Sequence, residues 1–214
     1  MNTMIAALAV LTVAAGPVFA QTYIPPQRGY YGLSLDSPAR QSDPSLDDAE
    51  IAGLATWKAI SLGTYTSTNA MFNALDDQHI HIGDTADEIL HRPAFTISKV
   101  KMDVGLVVLS VNQLSSGGQS SLATIFARAR RLGYELCPPE VAVQLRLQYR
   151  DQPVGESLDI AMEPIATFEG QLVGLSVMNG GAGLMLVGQS VSLETTPYPG
   201  ARFVFVRPLQ IATP

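Results

Sequence analysis

The chain is poor in cysteine: Cys137 is the only one among 214 residues. That rules out an internal disulfide framework and a zinc site built from several thiolates. Charge is also scarce, at 15% of residues, with a formal net of −6. This argues against a nucleic-acid binder that works through a basic surface. The first 20 residues carry no charged side chain. Beyond them, no stretch approaches the roughly 18 unbroken apolar residues that a membrane helix needs. What the chain has in quantity is apolar side chain, at 47%. That supports a sizeable core and rules out wholesale disorder. The length suits one domain of ordinary size.

Met4 to Ala15 (MIAALAVLTVAA) is a continuous apolar run of the length of a signal-peptide core. Gly16 and Pro17 break any helix there, and Val18-Phe19-Ala20 offers a small-residue cleavage site. Residues 1–20 are therefore expected to be a signal peptide, with an uncleaved anchor as the alternative. The n-region departs from the usual pattern because it has no Lys or Arg. The expected location is periplasmic or secreted, with no transmembrane span in the mature chain. Residues 21–46 hold Pro25, Pro26, Pro38 and Pro44 with Gly29 and Gly32. They show no sustained period and read as a proline-rich flexible tether. Its Tyr30-Tyr31 pair is expected to pack locally. Its end is acidic, with Asp36, Asp43, Asp47, Asp48 and Glu50.

Residues 47–214 are expected to form a single α+β domain. Trp57 to Leu62 reads as a short strand. Thr66 or Ser67 caps a helix running to about Gln78, and Asp84 or Thr85 caps a second, Ala86 to His91, stopped by Pro93. Val104 to Val111 (VGLVVLSV) is nearly all apolar, as in a strand buried on both faces. Gly117 and Gly118 mark a loop. Leu122, Ile125, Phe126, Ala129 and Leu132 form the apolar stripe of a helix capped by Ser120 or Ser121 and ended by Gly133. Arg128, Arg130 and Arg131 lie near its C-terminus, where cations oppose the helix dipole favourably. From Val143 onward the pattern has period 2: Val143, Leu145, Leu147 and Tyr149 alternate with Gln144, Arg146, Gln148 and Arg150. Further strands follow at Ser157 to Ile165, Leu172 to Met178, Leu184 to Val191 and Arg202 to Val206. The short connections predict N-terminal helices packed on a mainly antiparallel sheet with a C-terminal β-meander of about five strands.

Several blocks, IGDTADEIL (Ile82 to Leu90), PAF (Pro93 to Phe95), LVVLSV (Leu106 to Val111), IFARARRLGYELCPPEV (Ile125 to Val141), QLRLQYRDQPVGE (Gln144 to Glu156) and IAMEPI (Ile160 to Ile165), stand together over about half the chain. In them the chain resembles a small uncharacterised bacterial family. The resemblance implies no activity and brings no catalytic residues. The export segment and the tether depart from the family's pattern.

Several constellations are candidates for chemistry or binding. Cys137 precedes Pro138-Pro139-Glu140, so a helix starting there would favour its thiolate, and a cysteine hydrolase would need His79, His81 or His91 as base. His79-Ile80-His81 is an H-x-H pair: on an extended segment both rings point one way, with Asp77 or Asp84 to complete a metal shell. Against that stands the bland reading of surface histidines, and no metal or other cofactor is expected. The two short helices around this pair have the outline of a helix-turn-helix, but their lack of basic residues and the net acidity oppose DNA contact. Asp159 and Glu163, four residues apart on a strand, would lie roughly 13 Å apart, too far for a carboxylate pair. The Gln144, Arg146, Gln148 and Arg150 ladder is the expected ligand-binding surface. The favoured expectation is a binding or interaction module that uses this polar sheet face toward an unknown protein or envelope ligand. The alternative is a cysteine-dependent hydrolase of cell-envelope peptide or amide bonds.

Overall fold

Short polar side chains start most of the helices here, because the first N–H groups of a helix lack partners within it. In a computed structural model, which describes residues 47–115 and 119–208, Asp47 caps α1 (Asp48–Ala52) in a reciprocal box with Glu50. Ser67 caps α2 (Thr68–Asp77), Ser110 caps α4 (Val111–Leu114) and Ser121 caps α5 (Leu122–Arg131). The helix α3 (Asp84–Leu90) starts two residues earlier than expected, with Gly83 at its N-cap and no side-chain cap. The acidic Asp47–Glu50 run is thus the start of a helix rather than the end of a linker. The export segment, the tether with its tyrosine pair, and the Gly117-Gly118 loop lie outside the described residues. The described residues all fall within one compact unit.

The strands are β1 (Lys58–Leu62), β2 (His81–Ile82), β3 (Met102–Ser110), β4 (Ser157–Ile160), β5 (Ile165–Ala166), β6 (Leu172–Gly180), β7 (Gly183–Ser190) and β8 (Arg202–Arg207). They form one sheet in the order β1-β3-β8-β4-β6-β7-β2, with β5 on β6. The pairing is antiparallel except for β4 with β8 and β2 with β7. The mixed α+β class is as expected, but the simple meander is not. The last strand leaves the hairpin succession and enters between β3 and β4. Its side chains explain this. Phe203 and Phe205 point to one core and Val204 and Val206 to the other, so an edge position would expose one pair to water. The expected strand Ser157 to Ile165 is also split, with β4 ending at Ile160.

The largest correction concerns residues 143–150. They form no strand: residues Glu140–Gln148 are a helix, α6. Glu140 to Leu147 are all buried. A helix enclosed on every side has no wet face, so its sequence shows no stripe at period 3.6. Here the apolar positions happen to alternate instead. α6 packs on β1 and also on β6 and β7. On a flat sheet β1 and β6 would stand roughly 19 Å apart, wider than a helix of about 10–12 Å diameter. The sheet therefore curls round α6 into a half-barrel. The concave core holds α6 with residues of α2 and α3. The convex core holds Ile51, Val111, Leu114, Ile125 and Phe126 against Val107, Leu109, Phe203 and Phe205. The Phe126 ring lies edge-on to both Phe203 and Phe205.

A polar column fixes α6 within the curl. Glu140, Gln144 and Gln148 recur every four residues, so they share one side of the helix. The Glu140 carboxylate accepts the backbone N–H of Gly63 (2.7 Å) and of Ser98 (2.7 Å), and the Gln144 amide (2.9 Å). Gln144 also donates to Thr64 Oγ1 (2.7 Å). Gln148 accepts from Ser61 N–H and donates to Ser61 C=O, each at 3.0 Å, as a neighbouring strand would. Gly63 is obligatory at its place: its φ is +64°, and a Cβ there would stand 2.3 Å from the Val100 carbonyl oxygen. Removing Glu140 strands two part-buried N–H groups and one of the two bonds of the buried Gln144 amide. Glu140→Ala is expected to lower the unfolding free energy by about 3 kcal/mol or more, and Gln148→Ala by about 1 kcal/mol. Urea unfolding measures both. Accelerated hydrogen exchange at the Gly63 and Ser98 amides should accompany the first, and an unchanged midpoint in Glu140→Ala would refute the clamp.

Candidate functional site

Cys137 is a member of the concave core, 3% exposed. Its N–H donates to Ala161 C=O (2.7 Å), and its thiol donates to the Val204 carbonyl (3.2 Å). Burial pushes the thiol far above its ordinary range, and a backbone hydrogen bond from Val206 offsets this only in part. The expected gain from a helix N-terminus is outweighed by desolvation of the thiolate. The three histidines are all exposed. His91 stacks on Phe72 and its Nδ1 is bonded to the Asp87 carbonyl (2.8 Å). His81 belongs to β2 at one end of the strand order, whereas the thiol of Cys137 is bonded to β8, four places away in that order. No contact joins these rings to Cys137 among the described residues. The sealed, protonated thiol argues against the cysteine-hydrolase expectation.

The H-x-H geometry does not form either. His79 has a φ of +54°, so the backbone turns between the two rings and the two-residue spacing no longer aligns them. Among the described residues, no three His, Cys, Asp or Glu side chains are grouped so as to hold a metal ion. The helices on either side belong to the scaffold: α2 packs on α6, and α3 packs on β6 and β7. α3 reaches β7 through Gly188, where a Cβ would stand 2.7 Å from the Ala86 nitrogen.

The proposed ligand ladder is divided by the helix. Gln144 and Arg146 are buried, at 1% and 0% exposure. Gln148 and Arg150 are exposed, the first bonded to β1 and the second donating to Gln78 Oε1 (2.6 Å). The four side chains present no common face, because period 2 on a helix turns successive polar residues in different directions. Arg146 donates to Gln152, to the Tyr149 carbonyl and to the Met178 carbonyl, while its Nε has no partner. Desolvation lowers its pKa to about 10. Tyr149 donates to Glu156 (2.8 Å), which also pairs with Arg202 (2.7 Å). Burial first, then the hydrogen bond to Glu156, raises the Tyr149 phenol. This network joins the end of α6 to the turn at 151–156 and serves the fold.

Of the three arginines on α5, Arg128 pairs with Asp48 and Arg130 with Glu163 (2.8 Å). Glu163 lies past the end of β4, so the strand spacing from Asp159 does not apply to it.

Asp159 is the acid that the sequence placed on a wet strand face without assigning it a partner. It lies on β4 on the convex side of the sheet, opposite Ser176 of β6. Ser176 donates to Asp159 Oδ1 (2.6 Å), and Gln189 of β7 donates to Ser176 Oγ (3.1 Å). The next rung pairs Ser157 with Met178 and Met178 with Met185, and Val187 stands opposite Ser176. Met178, Met185 and Val187 are half-buried and lie outside the convex core formed with α1, α4 and α5. The helices that pack on β6 and β7 do so from the concave side. Burial raises the Asp159 carboxyl, and the Ser176 hydrogen bond opposes this in part. A chain of alternating residues marks this face in the sequence, but only the strand order brings Asp159, Ser176 and Gln189 together.

No family model, no curated protein and no solved structure matches the chain.

Two outcomes follow from the titration of Cys137 and Asp159. Iodoacetamide should alkylate Cys137 of the folded protein orders of magnitude more slowly than in urea, with the rate tracking unfolding. Fast labelling of the folded chain would contradict the sealed core. Asp159 is more protonated in the folded state than in the unfolded chain, whose carboxyl titrates near ~3.9. Its contribution to stability therefore falls as pH rises from that value through the higher folded one. Asp159→Asn removes this loss. The stability of the variant relative to wild type should rise with pH across that window and then level off. Urea titrations between about pH 4 and about pH 8 measure the difference, and a pH-independent difference would show that the carboxyl is not perturbed.

Proposed function

We propose that this chain is an exported, non-catalytic binding module whose ligand surface is the convex face of β4, β6 and β7. The observation that carries the reading is the hydrogen-bonded row Asp159–Ser176–Gln189, which starts beside Phe203 of the convex core and runs toward half-buried Met178, Met185 and Val187; Ser176 is buried, and Asp159 and Gln189 are half-buried. A patch that sets a few hydrogen-bonding groups among apolar side chains has the make-up of a protein interaction surface. Asp159 has a second carboxylate oxygen, which would take a hydroxyl or amine donor, while the methionines adapt to an apolar body. The class of ligand that fits is an envelope glycan or peptide bearing donors and an apolar side.

Export rests on the apolar run at Met4 to Ala15 and the small residues at its end. No helix among the described residues is long and apolar enough to cross a membrane. A periplasmic or secreted location would bring the domain to such ligands.

The test is a titration of the isotope-labelled chain with soluble muropeptides, followed by amide and methyl chemical shifts. Perturbations should centre on Ser176, Gln189, Met178 and Met185, and Gln189→Ala should weaken binding roughly tenfold, the loss of one hydrogen bond to a polar group. Shifts that map elsewhere, or a saturating mixture that leaves these resonances unmoved, would sink the reading.

A further inference from the structure

Six large apolar side chains are exposed among the described residues. Two of them, Val100 at 65% and Met102 at 48%, share a four-residue stretch with Lys99 and Lys101. These are two of the three lysines in the whole chain. Among the described residues, neither lysine has an ion pair or a hydrogen bond. The acid next in sequence, Asp103, is engaged by the Ser61 hydroxyl (2.5 Å).

The stretch is held in place from beneath. The Ser98 N–H donates to the buried Glu140 carboxylate (2.7 Å). The Ser98 hydroxyl donates to the Val100 carbonyl (2.7 Å) and accepts the Val100 N–H (3.3 Å). The Val100 carbonyl in turn sits where only a glycine fits at position 63. Met102 opens β3 opposite Leu62. A buried carboxylate, a serine turn and a left-handed glycine thus converge to hold up an exposed valine between two lysines. Nothing in the core requires that valine or those charges.

We propose that the Lys99–Met102 tip is a docking prong for an anionic lipid surface, with Val100 and Met102 entering the interface and Lys99 and Lys101 meeting the headgroups. Four residues offer far less than the roughly 800 Å² a side that a stable protein interface needs. They are enough for weak interfacial partitioning, in which apolar insertion and adjacent lysines add. The charge of the tip is opposite to the net −6 of the chain. The attraction is therefore local and falls off within a Debye length of about 8–10 Å. This inference rests on a different surface from the convex-face reading, and each stands or fails without the other.

The experiment is flotation of the full chain with vesicles of phosphatidylcholine alone or with phosphatidylglycerol added, at low and high salt. Binding should require phosphatidylglycerol and weaken at high salt. The pair Lys99→Glu and Lys101→Glu should lower partitioning by about 25-fold or more, about fivefold for each lysine lost. Val100→Asp should lower it roughly tenfold. All these positions are exposed, so unchanged melting temperatures confirm that the variants fold. Val100→Trp in a Trp57→Phe background should be quenched by brominated lipid. Equal binding of wild type and variants, or an unquenched Trp at 100, would overturn the proposal and place any binding in another segment, such as Met4 to Ala15. Retention of the tip's effect on poly-glutamate, without binding to vesicles, would overturn it in favour of an acidic polypeptide.

Discussion

Enclosing α6 within the curl of the sheet obliges each polar group on that helix to find a partner inside the protein. Glu140 meets the demand with two backbone N–H groups and an amide, and in doing so satisfies donors that the ends of β1 and the 95–101 segment would otherwise leave unpaired. Gln148 does the same for the edge of β1, where its amide stands in for a neighbouring strand and covers Ser61. A covered edge is also a protected one, since an open edge invites pairing with other chains. Arg146 is the exception to full satisfaction. It has no direct carboxylate partner, and its Nε is unpaired. Its compensation is positional: it lies in the last turn of α6 and donates to the Tyr149 carbonyl, where the helix end carries partial negative charge.

The curl sets the rest of the architecture. A sheet wrapped round one helix has a concave face committed to that helix and a convex face too broad for α1, α4 and α5 to cover. Those helices cover β3 and β8, the two strands whose sequences are apolar on both sides. β6 and β7 are strongly apolar toward α6, where Val173, Leu175, Val177 and Leu186 are buried; their other face mixes buried Ser176 and half-buried Gln189 with half-buried Met178, Met185 and Val187. Strand order and strand composition therefore agree. The central strands need two cores and have them, and the remaining strands carry polarity where helices are absent.

This logic also explains what could be read from the sequence. The capped helices at Thr68–Asp77 and Leu122–Arg131 were legible because each has a polar cap and one wet face. The strand at Met102–Ser110 was legible as doubly buried because a continuous apolar run has few other homes. The run at Arg202 to Val206 carried the same signal, and taking it as the last rung of a meander overlooked it. α6 failed for a physical reason. Amphipathic period is evidence of a boundary with water, and a helix without such a boundary leaves none. The remaining trace was the spacing of Glu140, Gln144 and Gln148 at four, together with Pro138 and Pro139 just ahead, a common way to enter a helix. The candidate site was less legible than the fold. Asp159, Ser176 and Gln189 come from three strands, and no spacing along the chain encodes their meeting.

The distribution of polar groups bears on function more than any single residue does. Charge makes up only 15% of this chain, and much of it is engaged: Glu140 in the clamp, Arg146 and Glu156 at the end of α6, Arg128 and Arg130 in pairs that join α5 to α1 and to Glu163. A nucleophile and base need exposure as well as proximity, and here Cys137 has neither a histidine beside it nor access to solvent. Polar groups without a structural task are then informative by their position. Ser176 satisfies one oxygen of the Asp159 carboxylate, while Leu158 and Ile160 anchor β4 from the other face and leave the second oxygen without a task in the fold among the described residues. Lys99 and Lys101 hold nothing together. A charge to which the fold gives no partner, as at exposed Lys99 and Lys101, stays solvated and free to meet a group outside the chain.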